Sequence, residues 1–263
     1  MDNKILVLGS DGFLGNSLYL NLLDNGSFDV IGTSRKIQEK EFFDLNQRHE
    51  INFSEYDAVI FLAGMTSIQE CEKFPELAYK TNYISTIRTI NECVNAGCFV
   101  IFLSTNCVFS GKKSFYNVND HKDPSSIYGK CKDAVEKWVT ERHPENVAIL
   151  RLTKVVPLEG VPLFAQRWVS EIKENGHTDV YTNHFLSPVN EYEVFNALML
   201  LLMTKPKGIF QLGGQAELSY ADYAKEYFMN DENSLRCLNF IEKGNGINFN
   251  SLKTVLPHHN NLA

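Results

Sequence analysis

A doubly wound α/β fold on a parallel sheet is the class this sequence predicts, and two observations carry it. Short apolar runs suited to strands buried on both faces alternate with segments of helical periodicity. The first run, residues 5–8, leads directly into Gly9, Gly12 and Gly15. A stripe of Leu14, Leu18, Leu22 and Leu23 follows, and Asn25-Gly26 ends it as a C-cap would. Strand, glycine turn and helix in this order open a βαβ unit of the dinucleotide-binding Rossmann type. Gly9 allows the tight turn, Gly12 lets a pyrophosphate approach the backbone N–H groups of the helix start, and Gly15 lets helix and sheet pack closely. The spacing is GxxGxxG rather than GxGxxG, so a plain glycine turn without a ligand stays open as the alternative.

The chain has 263 residues, 44% of them hydrophobic, enough for one large α/β domain or a core domain with a smaller lobe. A net charge of −7 argues against nucleic-acid and anionic-membrane partners. No run of ~18 apolar residues suggests a membrane span. The first residues enter a strand without a basic leader, so a cytoplasmic location is expected. Six cysteines form no CxxC pair and no zinc spacing; they read as free, mostly buried thiols, with no metal site.

The elements follow in order. Residues 28–33 read as the second strand, ending in Ser34-Arg35-Lys36. An acid here would hold the ribose 2′-OH of NAD. Arg35 instead suits a 2′-phosphate, which predicts NADP over NAD, with NAD still open. Residues 41–45 read as a short third strand ending at Asp44, an acceptor for an adenine amino group or a turn residue. Residues 56–63 form the fourth strand, with small residues after it. Residues 75–97 read as one long helix, with Leu77, Ile84, Ile87, Ile90 and Val94 along one side and the amide of Asn82 interrupting it. Residues 98–104 are the fifth strand. Ser125-Ser126 caps a helix running to Arg142, and residues 146–152 are the sixth strand. Beyond it the rhythm loosens: helices at 164–174 and 191–204, a strand at 208–212, and a helix at 219–228 with Ser219 as N-cap. The last ~20 residues are polar and expected to be loose. The division predicted is a dinucleotide-binding domain over 1–152 and mainly a small substrate lobe over 153–263, partly interleaved with the first.

Chemistry concentrates at Ser104-Thr105-Asn106 and at Tyr128-Gly129-Lys130-Cys131-Lys132. Tyr128 and Lys132, four apart, share a helix face. A phenol with an ordinary pKa near ~10 trades protons poorly at neutral pH, and an adjacent ammonium favours the phenolate. Lys132 is expected to lower the Tyr128 pKa and to hold a nicotinamide ribose, while Thr105 fixes a carbonyl against the Tyr128 hydroxyl. An acid beside a hydride donor amounts to carbonyl reduction or its reverse.

GSDGFLG, LAGMT, STNCVF, YGKCK and RLTKVV stand in the order found in extended short-chain dehydrogenase/reductases, and the chain resembles their dTDP-4-dehydrorhamnose reductase branch. HFLSPVNEYEV and the stretch GIFQLGGQAELSYADYAKEY extend the likeness over nearly the whole chain. The resemblance implies a catalytic trio of Thr105, Tyr128 and Lys132. It implies cofactor contacts at Gly9, Gly12, Phe13, Leu14, Gly15, Arg35, Asp44, Leu45, Ala63, Gly64, Met65 and Asn82, shared by Tyr128 and Lys132, and substrate contacts at Ile68, Asn106, Lys154 and Ser187. The chain departs from the branch at Asn106, where Asp is usual, at Val118, often Glu, and at Lys154, often aromatic. An amide at 106 keeps hydrogen bonding without charge, and a lysine at 154 trades a stacking surface for a cation.

The activity implied is NADPH-dependent reduction of a 4-keto sugar nucleotide for a surface polysaccharide, with a homodimer left open. Two alternatives stand beside it: an epimerase or dehydratase holding NAD, and a non-catalytic NADP-binding subunit like the regulatory β subunit of methionine adenosyltransferase, which also resembles this branch.

Overall fold

The computed structural model describes residues 3–36, 40–244 and 246–257. In chain order the elements are β1 (Lys4–Leu8), α1 (Phe13–Asn25), β2 (Asp29–Ser34), β3 (Glu41–Phe42), β4 (Ala58–Phe61), α2 (Ile68–Lys73), α3 (Pro75–Tyr79), a π-helical segment (Lys80–Ser85), α4 (Thr86–Asn95), β5 (Phe99–Thr105), α5 (Ile127–Arg142) and β6 (Val147–Leu152). There follow β7 (Val155–Val156), α6 (Leu163–Asn175), β8 (Thr178–Tyr181), β9 (Phe185–Leu186), β10 (Val189–Asn190), α7 (Glu191–Thr204), β11 (Gly208–Leu212), β12 (Leu218–Ser219), α8 (Tyr220–Tyr227), α9 (Glu232–Leu235) and β13 (Leu238–Ile241).

Seven parallel strands form the main sheet in the order β11-β6-β5-β4-β1-β2-β3. The chain runs outward from β1 to β3, then returns to β4 and proceeds the other way. The carboxyl ends of β1 and β4 therefore flank the switch point, where open α/β sheets bind their ligands. Apolar residues cover both faces. Leu18 and Leu22 of α1 and Val194, Leu198 and Leu201 of α7 pack on one, with Ile90 of α4 and Val135 and Val139 of α5 on the other. The α/β prediction holds, down to Gly26 as the left-handed C-cap of α1 and Ser126 and Ser219 as N-caps of α5 and α8.

The second half divides its elements. α7 and β11 complete the main sheet and its cover. α6, α8, β8 and β13 enclose a separate cluster around Trp168, Val180, Ala224 and Phe228.

Three expectations need correction. The long helix over 75–97 is present and continuous from Pro75 to Asn95, but it is not α-helical throughout: α3 passes into the π-helical segment and then into α4, with α2 ahead of it. The widened turn holds Asn82, whose buried amide bonds the β4 loop instead of following the stripe. The third strand stops at Phe42, because Asp44 accepts from Asn46 N at 2.9 Å and Gln47 Nε2 at 2.9 Å and turns the chain. The C-terminal stretch is not loose as far as residue 257. Ser251 and Leu252 are buried, and the backbone there pairs with Tyr116 and Gln211. The side chains of Asn248, Asn250, Ser251 and Thr254 find partners in the fold. No helix among the described residues is long and apolar enough to cross a membrane.

Candidate active site

The glycine loop follows β1. Gly9 has φ +90°, and a Cβ there would lie 2.8 Å from Ala63 N, so the loops after β1 and β4 abut at the switch point. A Cβ on Gly15 would lie 2.2 Å from Gly9 O, so the close packing it allows is between α1 and the glycine turn rather than between helix and sheet. Gly12 differs. Its φ is −71°, and a Cβ would meet nothing nearer than Gly9 O at 3.6 Å. The protein itself does not require glycine at 12; a ligand passing over the loop would. Gly12 is also the N-cap of α1 and offers no side-chain cap, so the first-turn N–H groups beside Phe13 and Leu14 suit an anion. These features fit a dinucleotide pyrophosphate.

Arg35 is exposed at the end of β2. Two neighbours there were not anticipated. Asp11, from the glycine loop, accepts from the Ser34 hydroxyl and from Lys40 Nζ at 3.2 Å. Burial works to raise its pKa, but the hydrogen bonds from Ser34 and Lys40 and the charges of Lys40 and Lys36 hold it below the usual carboxylate value. Asp11 stands inside the quoted motif, yet nothing in its spacing shows that it would reach β2. Asp44 and Leu45 lie on the next turn. That turn is tied to the π-helical segment, where Asn46 Nδ2 donates to Thr81 Oγ1 at 2.8 Å, and to α4, from which Arg88 donates to Leu45 O at 2.9 Å. Across the cleft, Asn82 holds the backbone of Met65 and closes on Gly64, where a Cβ would lie 2.8 Å from Asn82 Oδ1.

Thr105 ends β5, and Tyr128 and Lys132 lie on the first turns of α5. The two elements are locked together behind the cleft. Ser104 donates to Glu136 at 2.6 Å, and Arg151 of β6 meets the same buried carboxylate at 2.9 and 2.7 Å. Gly129 lets α5 close on the β5 loop; a Cβ there would lie 2.2 Å from Cys107 O. Lys132 is buried, donates to Leu103 O at 2.8 Å, and stands 5.9 Å from the centre of the Tyr128 ring. Burial lowers its pKa to about 8, partly offset by Glu136.

The expectation that Lys132 lowers the Tyr128 pKa is not met. Burial drives the phenol upward, Cys107 and Cys71 add to the rise, and contact with the Thr105 hydroxyl opposes it. Lys132 spends a hydrogen bond on Leu103 O, and its ammonium stands over the Phe102 ring, 4.4 Å from its centre.

The four expected substrate residues part ways. Ile68 is exposed at the start of α2. Lys154 follows β6, two residues beyond the register partner of Thr105, with Nζ 5.4 Å from the Phe164 ring centre. The residue is exposed, and the protein packed around its ammonium lowers its pKa. Asn106 is turned to the C-terminal stretch, donating to Asn250 Oδ1 at 3.0 Å. Ser187 is fully buried and donates to Gly214 O at 2.7 Å, so its hydroxyl does not face the cleft. Cys107 and Tyr220 share this region unanticipated. Burial lifts Tyr220 to about 12, with Cys107 adding to the rise.

Among curated proteins, the chain is 28% identical over 222 residues to the spore coat polysaccharide biosynthesis protein SpsK of Bacillus subtilis, covering 84% of this chain and 77% of that one. It is 29% identical over 198 residues to a dTDP-4-dehydrorhamnose reductase of Sinorhizobium fredii, covering 71% and 66%. Its fold matches the crystal structure of dTDP-4-dehydrorhamnose reductase from Bacillus anthracis in complex with NADP, with a TM-score of 0.81 at 21% identity over 97% of this chain and 90% of that one. The family model for the RmlD substrate binding domain matches residues 3–244, and the chain belongs to that family.

Proposed function

We propose that this chain is an NADPH-dependent reductase of a 4-keto sugar nucleotide serving polysaccharide synthesis. The observation that supports this most is the convergence of the Thr105 hydroxyl and the Tyr128 phenol at the end of β5, with the Lys132 ammonium beneath them, across the switch point from an uncapped, glycine-lined helix start. The relatives named for rhamnose reduction and polysaccharide synthesis point the same way.

In this reading the α1 N-terminus and Gly12 take the pyrophosphate, Arg35 the 2′-phosphate, and the Asp44-Leu45 turn the adenine. Ala63, Gly64 and Met65 line the nicotinamide side, and Lys132 holds the ribose. A nicotinamide held there would supply hydride to the carbonyl carbon. Thr105 orients the carbonyl oxygen, and Tyr128, kept protonated by its buried setting, donates the proton to it. Lys154 and Ile68 border the sugar. The preference for NADPH rests on Arg35, Lys36 and Lys40 outnumbering the acid Asp11 at the end of β2.

The six cysteines are unpaired thiols, which suits a reducing compartment and supports the cytoplasm as its place. A homodimer would have a surface in Phe74, Leu77, Tyr79 and Ile84, all exposed around α3. The test of the reading is NADPH consumption with 4-keto sugar nucleotides generated by a dehydratase. Reduction of at least one, with no reduction of simple aldehydes, is expected, because remote contacts to the diphosphate supply the orientation. Binding of NADPH without reduction of any keto sugar would favour the non-catalytic alternative.

A further inference from the structure

The C-terminal stretch places one residue, Asn250, where the lobe, the end of β5 and the chain's last described segment meet. Its Nδ2 donates to Phe185 O at 2.9 Å and to Asn248 Oδ1 at 2.8 Å. Its Oδ1 and its own carbonyl accept from Asn106 Nδ2, at 3.0 and 3.3 Å. Asn106 Oδ1 in turn accepts from the Thr105 hydroxyl at 3.3 Å. The segment is anchored on both sides of this node. Phe249 stacks on Phe185 with ring centres 5.2 Å apart, and the fully buried Ser251 donates to Glu217 and accepts from Phe115 N at 2.6 Å.

The donor and acceptor pattern admits an amide at 106 and not a carboxylate. An aspartate would set oxygen against Asn250 Oδ1. Asn250 cannot reverse its amide in response without setting its oxygen against the Phe185 carbonyl. The departure from Asp at position 106 is therefore matched by a partner 144 residues away.

We propose that Asn250 is a positioning residue: through Asn106 it fixes the direction of the Thr105 hydroxyl, and the C-terminal segment is thereby part of the candidate active site. The kinetic consequence rests on the reading in which Thr105 orients the substrate carbonyl; the geometric claim does not. Together with Cys107 N, which donates to Thr105 Oγ1 at 3.1 Å, the bond to Asn106 holds the Thr105 rotamer. The single hydroxyl proton turns from Asn106 to the carbonyl when substrate binds, and a side chain free to leave that rotamer meets the carbonyl only part of the time, which lowers turnover rather than cofactor affinity.

Two measurements test this. Crystal structures of the unchanged protein and of Asn250→Ala are compared first; the Asn106 side chain should leave its position and Thr105 should take more than one rotamer. Unmoved Asn106 and Thr105 would overturn the proposal. A kinetic cycle on a reducible keto sugar follows. Asn250→Ala should lower kcat about tenfold with KM for NADPH unchanged, and should cost less than about twofold more when added to Thr105→Val. Additive losses would overturn the proposal, since a merely structural residue would weaken both backgrounds alike. Asn106→Asp breaks the same link while leaving the bonds of Asn250 to Phe185 and Asn248, and should reproduce the loss if Asn250→Ala does not fold. If the unchanged protein reduces no keto sugar, the functional reading fails, and the crystallographic comparison still decides the positioning claim.

Discussion

Asn82 clamps Met65 through both polar groups of its backbone: its Oδ1 accepts from Met65 N at 2.8 Å, and its Nδ2 donates to Met65 O at 2.8 Å. The clamp spans the cleft between the π-helical segment and the loop after β4, and the Asn82 side chain is buried. Asn82→Leu leaves Met65 N without a partner and Met65 O with only the Cys71 thiol at 3.6 Å, in a part-buried setting, at a cost of about 1–3 kcal/mol. Thermal denaturation should show the drop. Cofactor titration should show weaker binding of the nicotinamide half, read as loss of NADPH affinity with little loss for an adenosine diphosphate fragment.

Gly12 and Gly15 make a contrasting pair. Gly15→Ala drives a methyl to 2.2 Å from Gly9 O and should destabilise the fold by about 1–3 kcal/mol. Gly12→Ala meets no such obstacle. It should leave the melting temperature nearly unchanged while weakening NADPH, because the methyl occupies the space over the uncapped helix start. Calorimetry beside cofactor titration separates the two effects.

Arg35→Ala should weaken NADPH roughly tenfold or more and barely alter NADH, as expected from losing a charge-assisted contact of about 1.5–3 kcal/mol. Isothermal titration of both cofactors checks it. Equal affinity of the unchanged protein for the two would contradict the assignment of Arg35.

The alkaline limb of activity should belong to Lys132. Burial brings its folded pKa down to about 8 from its ordinary 10.5, whereas Tyr128 moves upward and keeps its proton. Turnover should therefore fall as pH rises through about 8, and Lys132→Arg should remove that limb. The stability sign is opposite. Between about pH 8 and 10.5 the unfolded chain binds the proton that the folded chain has lost, so this group's destabilising contribution is present below pH 8 and relieved as pH rises through that window. Unfolding of Lys132→Met, followed over the same range, should lack that rise.

The sheet, its glycine loop and the Thr105, Tyr128 and Lys132 constellation were legible because strand runs, helical stripes and i,i+4 spacing are local. Asp11 reaching Ser34, Asn106 turning to Asn250 and Ser187 burying its hydroxyl were not legible. Each depends on a partner brought near by tertiary packing, 23, 144 and 27 residues away. The long helix was legible, and the π turn within it had a local sign in Asn82, whose partner, the Met65 backbone, comes from the loop after β4. The C-terminal stretch misled because polar composition was read as solvent exposure, whereas its hydroxyls and amides are used inside the fold.

The most direct measurement is NADPH oxidation by the unchanged protein and by Tyr128→Phe, side by side, on a panel of nucleotide-linked 4-keto sugars. Removing one oxygen from Tyr128 should lower turnover about 100-fold or more with NADPH affinity nearly kept, while the unchanged protein reduces at least one member of the panel. Reduction by Tyr128→Phe at the unchanged rate would contradict the account.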